Sequence, residues 1–410
     1  MSIPRVDWLV LLLLLIAPTL SAAADVVPLS DAELRRVAAL GPWPPKFQRD
    51  PSNRVSGHPL AIALGRLLFF DPRMSPVGYI ACVSCHAPDR AFADLKPRAH
   101  GLADLERNTI ALANLRQQRW YDWAGSSDSL WLASLRPILN SREFDGSPAS
   151  VARLFRRDEA LAQCYRRVFG ILPTGDDERT LVNVGKALAA FLETLNSGRT
   201  AFDDYRDSLL RGQPVATLYP AAAQRGLKLF VGRAGCDQCH SGPNFSDGEF
   251  HDAGAPPPVA PARRDPGRAE GGQRLLESRF NRFGRYNDGA RPAAPRAQIE
   301  GEVAHFGQFR TPSLRNVAVT APYMHNGRIE SLADAVRQHA NGHAGGSGVP
   351  NNDVPSSLAD GEVADLVAFL QTLTDVHGEL RPVSAVVANC RSDSTPVARP
   401  PTDHASTRQP

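Results

Sequence analysis

Four of the six cysteines fall in two copies of one pattern, Cys82-Val83-Ser84-Cys85-His86 and Cys236-Asp237-Gln238-Cys239-His240. Two thiols one turn apart, followed at once by an imidazole, suit covalent c-type haem attachment. The sulfurs add across the vinyl groups at one edge of a porphyrin, and the histidine turns back to ligate the iron. Six Cys and 11 His scattered at random over 410 residues would give far fewer than one such pattern. A thioredoxin-like pair explains neither the adjoining histidines nor the duplication, and structural zinc would need further Cys or His pairs clustered nearby. The reading is two covalently bound haems c. Cys164 and Cys390 remain, and a disulfide and two separate thiols fit them equally well.

The elements that must position these motifs repeat weakly. Gly65-Arg66-Leu67-Leu68-Phe69 precedes the first and Gly226-Leu227-Lys228-Leu229-Phe230 the second. Each ends an apolar-periodic segment, Leu60 to Phe70 and Ala221 to Val231, predicted as a helix leading into haem attachment. The turn-prone Asp71-Pro72-Arg73 lengthens the first connection. Helical apolar spacing also covers Val151 to Phe169, Glu178 to Leu195 and Ser331 to Ala340. A last helix is expected from an Asp360 N-cap through Val363, Leu366, Val367, Leu370 and Leu373. Strand signals are scarce, so the expected fold class is mainly α: two cytochrome c-like haem domains packed against each other with long loops. Residues 253–300, rich in Pro, Gly and Arg, are expected to form a long surface loop.

At the N-terminus, Arg5, an apolar run from Trp8 to Ala17 and Ala22-Ala23-Ala24 make the three parts of a secretory signal. The run is shorter than the about 20 residues that span a bilayer. The expected organisation is a signal peptide over 1–24, an N-terminal extension over 25–54, a first haem domain over 55–196, a second over 197–378 and a flexible tail over 379–410. This places the mature chain in the periplasm without stable membrane insertion. A hydrophobic share of 42% supports a buried core. The balance of 46 basic and 43 acidic residues, net +3, leaves no field that would draw nucleic acid.

The second iron ligands decide between electron carrier and enzyme, because a peroxidase keeps one haem open. Methionine is scarce: beyond the signal only Met74 and Met324 remain, and Met74 lies just ahead of Cys82, which disfavours His/Met pairs at both haems. His58, His100, His251, His305, His325, His339, His343, His377 and His404 are available, and spacing alone selects none of them.

Further segments carry a resemblance. Phe70-Asp71-Pro72-Arg73, Arg107-Asn108, Pro137-Ile138-Leu139-Asn140, Thr311-Pro312-Ser313-Leu314-Arg315-Asn316-Val317 and Pro322-Tyr323-Met324-His325-Asn326-Gly327, together with the first haem motif, resemble the bacterial dihaem cytochrome c peroxidase and MauG family. The resemblance spans roughly residues 55–375 in the family's order. It implies that His86 holds the peroxide-reacting haem, with Glu143 as distal general acid and base, His100 as distal histidine and Trp123 between the haems. Asn108, Thr320 and Pro322 match positions that bind Ca2+ between the domains. His339 stands where the peroxidases place a Met and MauG a Tyr, which implies a bis-histidine second haem, His240 with His339. Ala234 stands where MauG has the tryptophan that takes electrons from its protein substrate, so that route is not carried over.

Asp265-Pro266-Gly267-Arg268, Phe280-Asn281 and Gly284-Arg285-Tyr286-Asn287-Asp288 also look like the methanobactin-associated MauG-like branch, MbnH. The implied function is a periplasmic oxidoreductase that reduces hydrogen peroxide and uses a high-valent dihaem state to oxidise a side chain, Trp, on a partner protein. One alternative is a cytochrome c peroxidase fed by a small c-type cytochrome. Another is a non-catalytic electron-transfer cytochrome, against which Glu143 argues.

Overall fold

The computed structural model describes residues 26–213, 219–256, 264–290, 299–300, 305–342 and 357–375. The expected signal peptide, the 379–410 tail, Cys390, His343, His377 and His404 lie outside the described residues.

Among the described residues the chain is helical: α1 (Asp31–Ala39), α2 (Pro59–Phe69), α3 (Leu130–Leu139), α4 (Pro148–Arg157), α5 (Glu159–Phe169), α6 (Asp177–Leu192), α7 (Ala201–Leu210), α8 (Ala221–Val231), α9 (Arg268–Glu277), α10 (Leu332–Gly342) and α11 (Asp360–Gln371). One short antiparallel pair, β1 (Phe250–His251) and β2 (Phe309–Arg310), sets Phe250 opposite Arg310. No helix of the described residues is long and apolar enough to cross a membrane.

Two hydrophobic clusters organise the helices. The first gathers α2 to α6, with α6 buried on all sides from Thr180 to Leu192. In it α2 crosses α6 at Gly65, where a Cβ would come within 2.0 Å of the Ala187 carbonyl oxygen. The second gathers α7, α8 and α11, and α8 crosses α11 at Gly226, where a Cβ would stand 2.0 Å from the Asp365 carbonyl oxygen. Beside each glycine sits a trio of phenylalanines. Phe69 meets Phe191 at 5.3 Å and Phe92 at 6.0 Å, and Phe230 meets Phe369 at 5.0 Å and Phe245 at 6.0 Å. Each such fully buried ring contributes about 1.5–3 kcal/mol. The repeat seen in the sequence is therefore a repeat of close helix crossings.

The packing also crosses the chain's linear order. Val37 and Leu40, from the segment expected as an N-terminal extension, belong to the second cluster, and Leu275, Phe280 and Ile299 to the first.

Three local expectations are corrected. The Val151 to Phe169 segment is two helices, because Asp158 turns extended and its carboxylate caps α5 by accepting from the Leu161 N–H (3.1 Å). Asp360 is the first residue of α11 and Ala359 its N-cap, with the Ala359 N–H donating to Glu362 (3.0 Å). Within 253–300 the described part is not a surface loop. It holds α9, whose Arg268 is fully buried against Phe250 and Trp120.

Candidate active site

Both Cys-x-x-Cys-His motifs fold alike. Cys82–Ser84 and Cys236–Gln238 form single 3-10 turns, and the following histidines, His86 and His240, return their backbone N–H to Cys82 (3.0 Å) and Cys236 (2.9 Å). Cys82, Cys85, Cys236 and Cys239 are all free. Burial pushes the Cys82 and Cys236 thiols up to about 12 and the Cys85 thiol to about 11. Cys164, by contrast, is disulfide-bonded.

His86 Nδ1 lies 2.8 Å from the Phe92 carbonyl and His240 Nδ1 3.1 Å from the Phe245 carbonyl. Phe92 and Phe245 both take a left-handed backbone, φ 59 and φ 52, which turns those carbonyls onto the imidazoles. Burial lowers both histidines, His240 to about 4. A neutral ring whose Nδ1–H is held by a carbonyl presents Nε2, the form an iron ligand requires. The carbonyl partners were not identified from sequence; the only sequence trace of them is a Phe five or six residues beyond each motif.

The opposite faces differ. Across from His240 stands His339 on α10, with ring centres 6.2 Å apart and planes at 60°. Two imidazoles so placed fit one metal ion between them, each nitrogen about 2 Å from it. His339 Nδ1 is held by the Ala335 carbonyl at 2.8 Å. Among the described residues no second imidazole pairs in this way with His86. A cleft of ≈ 1890 Å³ borders Cys236, Cys239, His240, His339, Trp123 and Arg310, room enough for a porphyrin. Arg310 is 1% exposed, and its Nη2 has no hydrogen-bond partner among the described residues. An orphaned guanidinium nitrogen beside the second haem motif suits an anionic group such as a haem carboxylate. Arg310 is a site residue that the motifs did not reveal.

Near the first motif, Glu143 is half-buried and burial raises its carboxyl above the ordinary value, while Asn140 Nδ2, donating to Oε1 at 2.8 Å, opposes the rise. Its charge adds to the burial that raises Cys82 and Cys85, which puts the carboxyl in the neighbourhood of this motif. Gly101 packs against the Glu143 backbone and fixes the loop that carries His100. The structure sets the His100 ring on the surface, 53% exposed, with Nδ1 2.6 Å from Asp104 Oδ1. The carbonyl of His100, rather than its ring, meets the Cys85 sulfur (3.4 Å).

Trp123 enters the cleft from the first half of the chain. Its Nε1–H donates to the Asn108 carbonyl (2.9 Å), and the Asn108 N–H donates to the His325 carbonyl (2.8 Å), so one chain of bonds joins the two halves. Asn108, Thr320 and Pro322, the three expected calcium residues, all border the same cleft. The Asn108 side-chain amide donates to the Lys96 carbonyl (2.9 Å), leaving Oδ1 as its acceptor. Arg107, bidentate to Asp265 at 2.7 Å on both nitrogens, clamps the adjoining edge.

A profile of the family described as di-haem cytochrome c peroxidase matches residues 59–210. The chain is 32% identical over 363 residues to the methylamine utilization protein MauG of Methylorubrum extorquens, covering 87% of this chain and 89% of that one. It is 31% identical over 344 residues to the cytochrome-c peroxidase IdrP1 of Denitromonas iodatirespirans, covering 82% and 86%. A solved MauG-like protein associated with microbial copper homeostasis superposes with a TM-score of 0.61 at 26% identity, over 83% of this chain and 98% of that one. The diheme peroxidase BthA of Burkholderia thailandensis gives 0.61 at 25%, over 87% and 92%. The chain belongs to the di-haem cytochrome c peroxidase and MauG family and is an oxidoreductase of the dihaem peroxidase type.

Proposed function

We propose that this dihaem peroxidase acts on hydrogen peroxide at a haem held by Cys82, Cys85 and His86. Cys236, Cys239, His240 and His339 would hold a second haem, which would supply a store of oxidising equivalents for a protein partner. The observation that carries the reading is the 6.2 Å separation of the His240 and His339 rings, set against a first motif near which Glu143 offers a carboxyl. Haem iron, when bound, supplies the peroxide-binding and electron-exchange chemistry.

The chain's own groups do the rest. Glu143, raised by burial, takes a proton from one peroxide oxygen and gives it to the other, so that water leaves. Asn140 fixes the carboxyl for both transfers. His100, tied to Asp104 at the surface, gates the outer edge of that pocket. Trp123, in the cleft between the halves, carries charge from one site to the other. Calcium held by oxygens of Asn108, Thr320 and Pro322 would fix the two halves at that cleft, a donor set suited to a hard cation. The two halves act as haem domains meeting near residues 196–198, and the chain works in the periplasm.

The partner in this reading is a protein whose tryptophan is oxidised. Similarity to MauG and to the MauG-like copper-homeostasis protein supports it. Nearly equal similarity to IdrP1 favours a second reading, a peroxidase fed by a small c-type cytochrome. One equivalent of peroxide separates them. The side-chain oxidase should form a long-lived state with near-infrared absorption and oxidise reduced cytochrome c slowly. Rapid multiple turnover of cytochrome c with no persistent state selects the second reading.

A further inference from the structure

The four tryptophans of the described residues fall into two classes. The Arg315 guanidinium stands 3.8 Å from the centre of the Trp43 ring. Trp120 carries two cations, Arg268 at 4.6 Å and Arg119 at 4.9 Å, and Lys186 Nζ lies 5.4 Å from the Trp131 ring. Three of these cations are buried and fixed. Arg315 is bidentate to Asp203 (2.9 and 3.0 Å), Lys186 donates to Asp288 (2.6 Å), and Arg268 donates to the Gly125 carbonyl (2.7 Å). Among the described residues no cation stands over the ring of Trp123. Arg310 meets that residue through its backbone, donating its N–H to the Trp123 carbonyl (2.8 Å) and its Nε to the Asp122 carbonyl (3.0 Å).

The indole nitrogens separate Trp123 from Trp120 alone, since Trp43 and Trp131 also donate theirs, to the Ser197 carbonyl (3.0 Å) and the Ser52 hydroxyl (3.1 Å). Trp123 Nε1–H donates to a carbonyl, which favours loss of an electron from the ring. Trp120, three residues earlier on the same loop and 2% exposed, has no partner for Nε1 among the described residues, so on oxidation it would keep its proton and bear a full charge. A cation over an indole attracts the neutral ring but repels the radical cation left when an electron departs. In a buried, weakly screening site that repulsion is strong.

We propose that the cations seated on Trp43, Trp120 and Trp131 keep oxidising equivalents off these rings and leave Trp123 as the one tryptophan through which they pass. The inference rests on the peroxidase reading for its source of oxidant. Hydrogen peroxide takes up two electrons and two protons and leaves as two waters. The protein lends the electrons and the partner returns them. A ring that lost an electron off this path would instead capture oxygen and damage the enzyme. Arg119, Arg268, Arg315 and Lys186 are therefore positioning residues that act through the rings they cover.

The test uses the haem-loaded full chain and maps oxygen added to each tryptophan by peptide mass spectrometry. Two oxidants are compared. One is hydrogen peroxide without partner; the other is azide radical, which takes one electron from an indole, becoming azide ion, whether or not the haems react. Arg119 is half-exposed, so Arg119→Gln should fold normally; it is examined alone and with Arg268→Gln. Oxygen at Trp120 should rise about tenfold in the double variant and less in the single one, a tenfold change being ~1.4 kcal/mol and within the reach of cation–π contacts. Arg268→Lys, which keeps the charge, should stay at the wild-type level. Unchanged Trp120 oxidation in both glutamine variants, or an equal rise in Arg268→Lys, overturns the proposal, since packing rather than charge would then protect the ring. If peroxide oxidises no variant while azide radicals reproduce the charge-dependent shift, the shielding stands and the peroxidase reading falls.

Discussion

The two halves of the molecule share a floor and differ in their roofs. Below each haem motif a glycine admits a crossing helix, a phenylalanine trio fills the crossing, and a left-handed phenylalanine turns its carbonyl onto the motif histidine. Across from His240 the chain offers another imidazole; near the first motif it offers Glu143. On the proposed reading the same scaffold would hold one closed iron and one open one, the choice lying in one residue brought from a distant segment. Attachment is local in sequence, whereas reactivity is not.

The sharpest way to break the comparison is at the differing residue of the first half. Glu143→Gln keeps the shape and the Asn140 contact but cannot cycle a proton. It should retain both haems and lose peroxide reactivity by about 10²–10⁴-fold. Stopped-flow mixing with peroxide measures this, and near-normal consumption would remove Glu143 from the mechanism.

The shared floor can be tested symmetrically. Gly65→Val and Gly226→Val each drive a side chain into a facing backbone carbonyl and should each cost about 3 kcal/mol or more by overpacking. Thermal unfolding of the two variants should show similar losses. A large loss in one and none in the other would end the equivalence of the two crossings.

A smaller effect separates the halves by pH. The buried acid of the second half, Asp203, is paired with Arg315, while Glu193 in the first is held by the Ser56 hydroxyl (2.8 Å) and burial pushes it to about 7 from an ordinary 4.5. A carboxyl raised on folding holds its proton more tightly in the folded chain. Its stability contribution is therefore full below about 4.5 and is lost as pH rises toward 7, by about 1–3 kcal/mol. Glu193→Gln should gain about that much at pH 8 and nothing at pH 4. An equal change at both pH values would assign the effect to packing instead.

Much of this plan is legible in the sequence, and the reasons for the rest are physical. The Cys-x-x-Cys-His motifs announce themselves because the covalent attachment they imply would fix their spacing, and the helices ahead of them because a single apolar face repeats; α8 runs from Ala221 to Val231 as expected. The break at Asp158 escapes, since the apolar period continues across it while one carboxylate ends the first helix and starts the next. Arg268 escapes more completely. Its surroundings are rich in Pro, Gly and Arg and suggest an exposed loop, yet the residue is buried between rings supplied by residues 120 and 250. Arg310 is silent for the same reason, because only the fold brings it to the second haem motif. His100 keeps its place in the motif order, but the structure turns its ring to Asp104 and the surface.

Electron paramagnetic resonance of the ferric, haem-loaded protein, before and after His339→Ala, tests the asymmetry of the two halves most directly. The wild type should show one high-spin and one low-spin haem, and the variant two high-spin haems with the first signal unchanged. A low-spin signal that survives His339→Ala, or two low-spin signals in the wild type with calcium and reductant supplied, would contradict the account.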